Sequence, residues 1–181
     1  MKELTGRINL DGTEYEIIEL LGKGKGSYTY LIKDDTGTKY VLKKIHHESG
    51  SFYNFGGNLQ SDISSYESLL NVPECKMPKI IKANLQEEYI IKEFIDGKTI
   101  AELIVEENMK KEYLQQMIDM CQVLYKKGLT IDYFPTNYVV NNGILYYVDY
   151  SCFTFSKNNS FENTGIIYWS KTPEFLEFIT T

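Results

Sequence analysis

The sequence is poor in cysteine and histidine, the residues on which disulfide scaffolds and zinc sites depend. Its three cysteines, Cys75, Cys121 and Cys152, are an odd number without a CxxC spacing, which indicates reduced, packed thiols. The two histidines, His46 and His47, are adjacent. Neighbouring side chains on a strand point to opposite faces, so we expect no shared metal ion.

Long apolar runs and an excess of positive charge are also missing. No segment approaches the roughly 20 apolar residues that a membrane-spanning helix needs. The first residues, Met1-Lys2-Glu3, do not resemble a signal peptide, so we expect a cytoplasmic protein without a membrane partner. The net charge of −6 argues against a surface built for nucleic acid.

Aromatic residues, in contrast, are abundant. The 181 residues include 15 tyrosines and 9 phenylalanines, and 43% of the chain is apolar. This composition excludes extensive disorder and is sufficient for a hydrophobic core without a metal or disulfide. The length predicts one domain, which could have two lobes.

The first half of the chain reads as strands joined by tight turns. Asp11-Gly12 and the segment 34–37 have the residues that tolerate turn conformations. They predict two antiparallel hairpins. A mobile loop is expected at 48–60 and a helix at 62–70, and strands are expected at 8–10, 15–18, 28–33, 39–45, 80–81 and 88–94.

The second half is predicted to be richer in helix. Helices are expected at 99–107 and 110–127, the latter from apolar residues spaced by three or four, and Gly128 is a natural helix end. Asn142-Gly143 predicts a hairpin between 138–140 and 144–148. Thr172 and Pro173 indicate another helix start. The fold class is therefore α+β, with a strand-rich lobe over 1–96 and a reduced, mostly helical lobe over 97–181.

The segment 21–27 is rich in glycine and leads into a strand. A dinucleotide-binding or P-loop turn would lead into a helix, or close with Gly-Lys-Ser/Thr, and neither pattern is present. Two interpretations stay open. The segment is either a turn whose backbone N–H groups approach phosphate oxygens, or a plain hairpin turn.

Two charged residues could accompany that turn. Lys43 and Lys44 are adjacent on a strand, so only one of them can point toward the glycine-rich side. A lysine that points inward needs a partner, and Glu67 on the following helix can supply it. Alternatively, Glu67 forms a capping box with Ser64.

The strongest signal is an acidic loop followed by a hairpin. With a two-residue turn at Asn142-Gly143, Asn137 lies opposite Val148 and beside Asp149. We expect the strand ladder to break down at that end. Asn and Asp supply oxygen ligands that suit Mg²⁺ together with phosphate oxygens. Asp132 is left as a candidate base for a hydroxyl group.

These residues together resemble the protein-kinase superfamily over 21–151. The resemblance implies a bilobal kinase-like fold and the cofactors ATP and Mg²⁺. It selects Lys43 for the α and β phosphates, Glu67 to orient Lys43, Asp132 as catalytic residue, and Asn137 and Asp149 as metal ligands. The remaining ATP-binding residues that it implies are Gly22, Gly24, Gly26, Ser27, Glu93 and Ile95, the last two in the adenine-binding hinge.

The sequence also departs from that family. Ser27 stands for the third loop glycine, Thr130-Ile131 for His-Arg, Phe134 for a lysine near the γ-phosphate, and Ser151 for the glycine of Asp-Phe-Gly. Residues 150–181 are too few for the helices of a usual second lobe. The chain therefore looks more similar to minimal atypical kinases, such as the RIO family or the small kinase of the tRNA threonylcarbamoylation complex.

Three functions are compatible with these patterns. The first is an ATP-dependent kinase that phosphorylates Ser or Thr of a protein. The second is the same chemistry on a small molecule, because a peptide-docking region is missing. The third is a nucleotide-binding pseudokinase, which Ser27 and Phe134 suggest. In each case a partner protein could complete the short second lobe.

Overall fold

The computed structural model describes residues 3–24, 26–46 and 59–180, and its backbone divides into two compact units. The first unit contains the described residues up to Ile63 together with Pro78–Phe94. The second contains Ser64–Met77 and the described residues from Ile95 onward. The break after Phe94 is close to the boundary predicted after residue 96, whereas residues 64–77 group with the second unit.

The first unit is built on one antiparallel sheet of six strands in the order β1-β2-β3-β4-β6-β5. The predicted strands are present, and the second of them is much longer than the segment 15–18 that alternation indicated. The strands are β1 (Arg7–Leu10), β2 (Thr13–Lys23), β3 (Ser27–Asp34), β4 (Lys39–Ile45), β5 (Ile80–Asn84) and β6 (Tyr89–Glu93).

The turns of this sheet follow from their residue types. Asp11 and Gly12 both have positive φ, 50° and 84°, as a two-residue hairpin turn requires. In the next turn the Asp34 carboxylate accepts the backbone N–H groups of Thr36 and Thr38, each at 2.9 Å. Both predicted hairpins are therefore confirmed.

The two faces of the sheet have different neighbours. One face carries a buried aromatic cluster that includes Tyr28, Tyr30 and Tyr89. On the other face Ile45 and Ile90 pack with Leu59, the first residue of helix α1 (Leu59–Leu69).

Helix α1 starts earlier than the predicted residue 62, so the loop expected at 48–60 is wrong for its last two residues. Residues 47–58 lie outside the described part of the chain.

Besides the end of α1, the described part of the second unit combines short strands with three further α-helices. Two small antiparallel sheets have the orders β10-β9-β7 and β11-β8. Across the described residues, no helix has the length and apolar character that a bilayer span requires. The elements are β7 (Lys98–Thr99), α2 (Ile100–Val105), α3 (Lys111–Lys126), β8 (Leu129–Ile131), β9 (Tyr138–Asn141), β10 (Ile144–Tyr147), β11 (Cys152–Thr154) and α4 (Pro173–Thr180).

The helix ends show the two predicted caps, at Gly128 and at Thr172-Pro173, and one that was not predicted. Thr99 and Glu102 form a reciprocal capping box at the start of α2. Gly128 follows α3 with a φ of 72°, which suits glycine. At the start of α4, the Thr172 hydroxyl accepts the N–H of Phe175 at 3.1 Å, ahead of Pro173 at the first helical position.

The core of the second unit is formed by the apolar face of α3 with residues from most other elements of the unit. Cys75 and Cys121 are buried in it, and this burial raises the pKa of each thiol to about 12. Both thiols are therefore protonated at neutral pH, as the prediction of reduced, packed cysteines requires.

Gly97 has a packing role in the same unit. A Cβ atom at this position would collide with the carbonyl group of Val140 on β9. Because β7 pairs with β9 immediately after Gly97, glycine permits the close approach of the two backbones.

Candidate active site

The glycine-rich segment is a turn between antiparallel strands, as predicted. Gly22 pairs with Thr29 across β2 and β3, and the Gly24 N–H donates to the Ser27 carbonyl at 2.8 Å. The Gly26 carbonyl accepts the His46 N–H at 3.0 Å, which ties the turn to the end of β4. Lys25 lies outside the described residues.

Lys43 lies on β4, where it pairs with an acidic residue other than the expected one. Its Nζ is 2.6 Å from Asp62 Oδ2, with side chains that are only 19% and 15% exposed. The predicted pairing with Glu67 is therefore wrong. Lys44 instead donates to the Glu87 carbonyl at 2.6 Å, which is consistent with the prediction that only one of the two lysines can point to a given face.

Helix periodicity explains why Asp62 takes this place. Leu59 and Ile63 both pack in the cluster that joins α1 to the sheet. Asp62 lies three residues after Leu59 and therefore shares its side of the helix. Glu67 lies five residues after Asp62, about 140° further around the helix, and it is exposed. The spacing of three residues from Leu59 to Asp62 is the sequence signal that could have identified it.

The two residues expected in the adenine-binding hinge lie where the chain passes from one unit to the other. Glu93 is the last residue of β6, and its carboxylate accepts the Lys79 N–H at 2.9 Å. The Glu93 N–H in turn donates to the Lys79 carbonyl at 2.9 Å. Ile95 is half-buried and begins the second part of the second unit.

The hairpin of β9 and β10 has the register that the sequence predicts. Asn142 and Gly143 both have positive φ, 49° and 79°, and Asn141 lies opposite Ile144. The ladder ends after one further bond, because the Val148 N–H donates to the Asn137 carbonyl at 2.9 Å. Residues 135–137 form a 3₁₀ turn instead of a strand. The expected break in the ladder is therefore present.

Asp132 lies near both predicted metal ligands in the second unit. Burial is the main cause that raises the pKa of its carboxyl group, and the negative charge of Asp149 raises it further. The Phe134 N–H, 3.0 Å from Asp132 Oδ1, and the Asn137 side chain act in the opposite direction. The structure thus brings Asp132, Asn137 and Asp149 together, as the sequence predicts.

Two buried tyrosines, which sequence reasoning missed, support this group. Tyr138 donates its hydroxyl to the Asp132 carbonyl at 2.6 Å. The Tyr147 hydroxyl accepts the Asp132 N–H at 3.3 Å and donates to the Ser151 carbonyl at 2.8 Å. Burial raises the pKa of both phenols well above the usual value, so both remain protonated donors. Their cross-strand pairing in the predicted register is the signal that could have identified them.

Ser151 also contributes to the site. Its hydroxyl donates to Asp149 Oδ2 at 2.6 Å, which fixes one oxygen of that carboxylate. A carboxylate oxygen and the Asn137 amide oxygen are hard ligands, the type that Mg²⁺ takes together with phosphate oxygens and water. The donor set present therefore fits Mg²⁺, and Ser151 would orient one ligand.

Phe134 belongs to an aromatic group near Asp132. Its ring stacks on Phe178 of α4, with centroids 4.6 Å apart and planes 8° from parallel. The Tyr168 ring lies 5.1 Å away. A pocket of about 330 Å³ opens beside these rings, and Asp132 is part of its wall.

No known family model matches the sequence, and no curated protein is significantly similar to it. Among the many solved structures with a similar fold is the BubR1 kinase domain, with a TM-score of 0.55 and 19% identity. The match covers 87% of this chain but only 53% of that chain, so this chain spans about half its length. The likeness confirms the α+β, protein-kinase-like fold.

The pairing of Lys43 predicts different effects for two acidic residues of α1. Asp62→Asn should lower the free energy of unfolding by about 1–3 kcal/mol, because a partly buried ammonium group loses its partner. Glu67→Gln is the matched control and should change it by less than about 0.5 kcal/mol. Urea denaturation of both variants measures this difference. Equal effects would contradict the assigned pair.

The tyrosine hydrogen bonds predict a cost for removing a single oxygen atom. Tyr147→Phe should lower the free energy of unfolding by about 1–3 kcal/mol, because the Asp132 N–H and the Ser151 carbonyl lose a buried partner. Tyr146→Phe, on the opposite face of the same strand, is the control and should be nearly neutral. If both variants unfold at the same urea concentration as the unmodified chain, the bridge does not support the site.

Proposed function

We propose that the chain is an ATP- and Mg²⁺-dependent phosphotransferase that transfers the γ-phosphoryl group to a hydroxyl group. The observation that carries the proposal is the grouping of Asp132, Asn137 and Asp149 at the open end of the β9–β10 hairpin. The protein-kinase-like fold supports it, because this fold uses such a group for phosphoryl transfer.

The proposed reaction makes one bond to phosphorus and breaks another. The acceptor oxygen bonds to the γ-phosphorus, the bond from that phosphorus to the bridging oxygen breaks, and ADP leaves. The hydroxyl proton passes to the Asp132 carboxylate. Its raised pKa makes this carboxylate a better proton acceptor than an ordinary aspartate, provided that it is ionised at the working pH.

In this proposal the nucleotide is bound mainly by the first unit. Lys43 holds the α and β phosphates, and Asp62 orients Lys43 in the place expected for Glu67. Backbone N–H groups around Gly22, Gly24, Gly26 and Ser27 approach the phosphates. Backbone groups near Glu93 and Ile95 bind adenine.

Asn137 and Asp149 are the residues that would hold Mg²⁺. The ion supplies positive charge that balances the phosphate oxygens. The protein keeps the two oxygen ligands in place, and the hydrogen bond from Ser151 to Asp149 helps to orient one of them.

The acceptor proposed first is a Ser or Thr hydroxyl of a protein, as the family resemblance implies. The pocket beside Asp132 favours a second candidate, a small molecule, because its volume of about 330 Å³ is in the range of small-molecule sites. We also propose that the chain is similar to minimal atypical kinases. In this proposal a partner protein completes the second lobe.

Replacement of the base tests the proposed chemistry. Asp132→Asn should lower the rate of γ-phosphate transfer by about 10²–10⁴-fold, the usual effect of losing a general base. The measurement follows radiolabel from γ-labelled ATP into products of a lysate. Asp119→Asn, an exposed residue on α3, is the control and should keep full activity.

The same variant should be more stable than the unmodified chain at neutral pH. A carboxyl group whose pKa is raised by folding stabilises the fold below its unfolded pKa, and this contribution is lost as the pH rises through the folded pKa. Asparagine is neutral throughout, so the melting temperature should rise by about 2–4 °C for each kcal/mol regained. An unchanged or lower melting temperature would contradict this expectation.

The transfer assay has two further outcomes. If Asp132→Asn transfers phosphate at the rate of the unmodified chain, Asp132 is not the base. If the unmodified chain binds nucleotide but transfers no phosphate, it is a pseudokinase.

A further inference from the structure

The pocket beside Asp132 has a volume of about 330 Å³ and lies entirely within the second unit. This volume is at the lower end of the range for small-molecule sites. Its walls include four aromatic side chains, Tyr133, Phe134, Phe153 and Tyr168, and the proposed base. A molecule in this pocket would therefore contact aromatic rings and also the carboxyl group of Asp132, the proposed proton acceptor.

The lining of the pocket carries a negatively charged group and no positively charged one. Its nine residues include no lysine, arginine or histidine, and Asp132 is the only one with a carboxyl group. An anionic molecule would be repelled by the Asp132 carboxylate without a compensating cation in the wall. The charge pattern thus selects against phosphorylated or carboxylated acceptors.

Most polar side chains of the lining are already hydrogen-bonded within the chain. Thr130 donates to the Asn159 carbonyl at 3.1 Å. The Asn159 side chain accepts the Ser156 N–H at 2.6 Å and donates to the Thr154 carbonyl at 3.0 Å. A peptide backbone would find few partners here, so the pocket suits a molecule recognised by shape and ring contacts.

One aromatic wall is held in place. Phe134 is stacked on Phe178 and contacts Tyr168, so its ring face is fixed before a ligand arrives. Phe153 is 53% exposed, so it can be replaced without disturbing the core. Preorganised aromatic faces favour a planar or cyclic ligand, because little side-chain freedom is lost on binding.

We propose that this pocket is the acceptor site and that it takes a small, uncharged ring compound with a hydroxyl group. The inference rests on the proposed phosphotransferase function and names its substrate class. The ring packs between the aromatic walls, and the hydroxyl group faces Asp132, which takes its proton as the oxygen bonds to the γ-phosphorus of ATP.

The binding test uses benzyl alcohol and benzoate, which share a ring but differ in charge, and is read by ligand-observed NMR without nucleotide. Benzyl alcohol should bind and benzoate should bind at least about tenfold more weakly. Phe153→Ala should weaken benzyl alcohol binding about two- to tenfold, the range for one aromatic contact. Val105→Ala, a 50% exposed position outside the pocket, is the control and should not change binding.

A charge reversal sharpens the test. Phe153→Arg places a cation in the wall and should strengthen benzoate binding while it weakens benzyl alcohol binding. Equal binding of both probes, no binding of either, or the same affinity in Phe153→Ala would overturn the proposal.

A competition experiment separates this inference from the proposed function. With Mg²⁺-ATP present, saturating benzyl alcohol should suppress transfer to any other acceptor of the lysate. Undiminished transfer to a protein Ser or Thr would overturn the acceptor site while the phosphotransferase function stands. Ring binding is read without nucleotide, so ring binding without any nucleotide binding would reject the proposed function and leave a ring-binding pocket that is not an acceptor site.

Discussion

The candidate active site depends on one cross-strand pair of buried tyrosines. Tyr138 and Tyr147 face each other in the β9–β10 hairpin, and their hydroxyl groups bind the backbone of Asp132 and Ser151. Because burial keeps both phenols protonated, these hydrogen bonds do not change over the neutral pH range. The pair thus connects the loop with the proposed base to the segment with a proposed metal ligand, through main-chain atoms that no substitution of Asp132 removes.

That rigid support is needed because the site places the carboxyl group of Asp132 in unfavourable surroundings. Burial and the charge of Asp149 both disfavour the ionised form of Asp132. Such a group keeps its position only if the surrounding structure fixes the backbone, and fixed unfavourable charges are typical of functional sites. The stack of Phe134 on Phe178 adds a second fixed surface, since it connects the loop to helix α4. The family resemblance expects a lysine at this position, and the aromatic ring instead becomes part of a pocket wall.

Local chemistry explains what the sequence predicts well. The turn at Asn142-Gly143 requires positive φ at both residues, and this requirement alone sets the hairpin register that places Asn137 opposite Val148. What could not be predicted depends on contacts between distant segments. The choice of Asp62 over Glu67 follows from how α1 rests on the sheet, and the roles of Tyr147 and Phe178 require knowledge of which rings meet. Residue type and spacing predict the proposed ligands of the site, whereas packing identifies the residues that hold them in place.

The central claim is that Asp149 and Asn137 form a site for Mg²⁺ together with a nucleotide. Its most direct test is the melting temperature of the chain with ATP and Mg²⁺, compared with ATP and EDTA, in the unmodified protein and in Asp149→Asn. At 100 times the dissociation constant, binding stabilises by about 2.7 kcal/mol, or roughly 5–11 °C for a chain of this size. The account predicts that shift with Mg²⁺, a smaller one with EDTA, and no effect of Mg²⁺ in Asp149→Asn. No shift at millimolar Mg²⁺-ATP, or an equal response to Mg²⁺ in the variant, would contradict it.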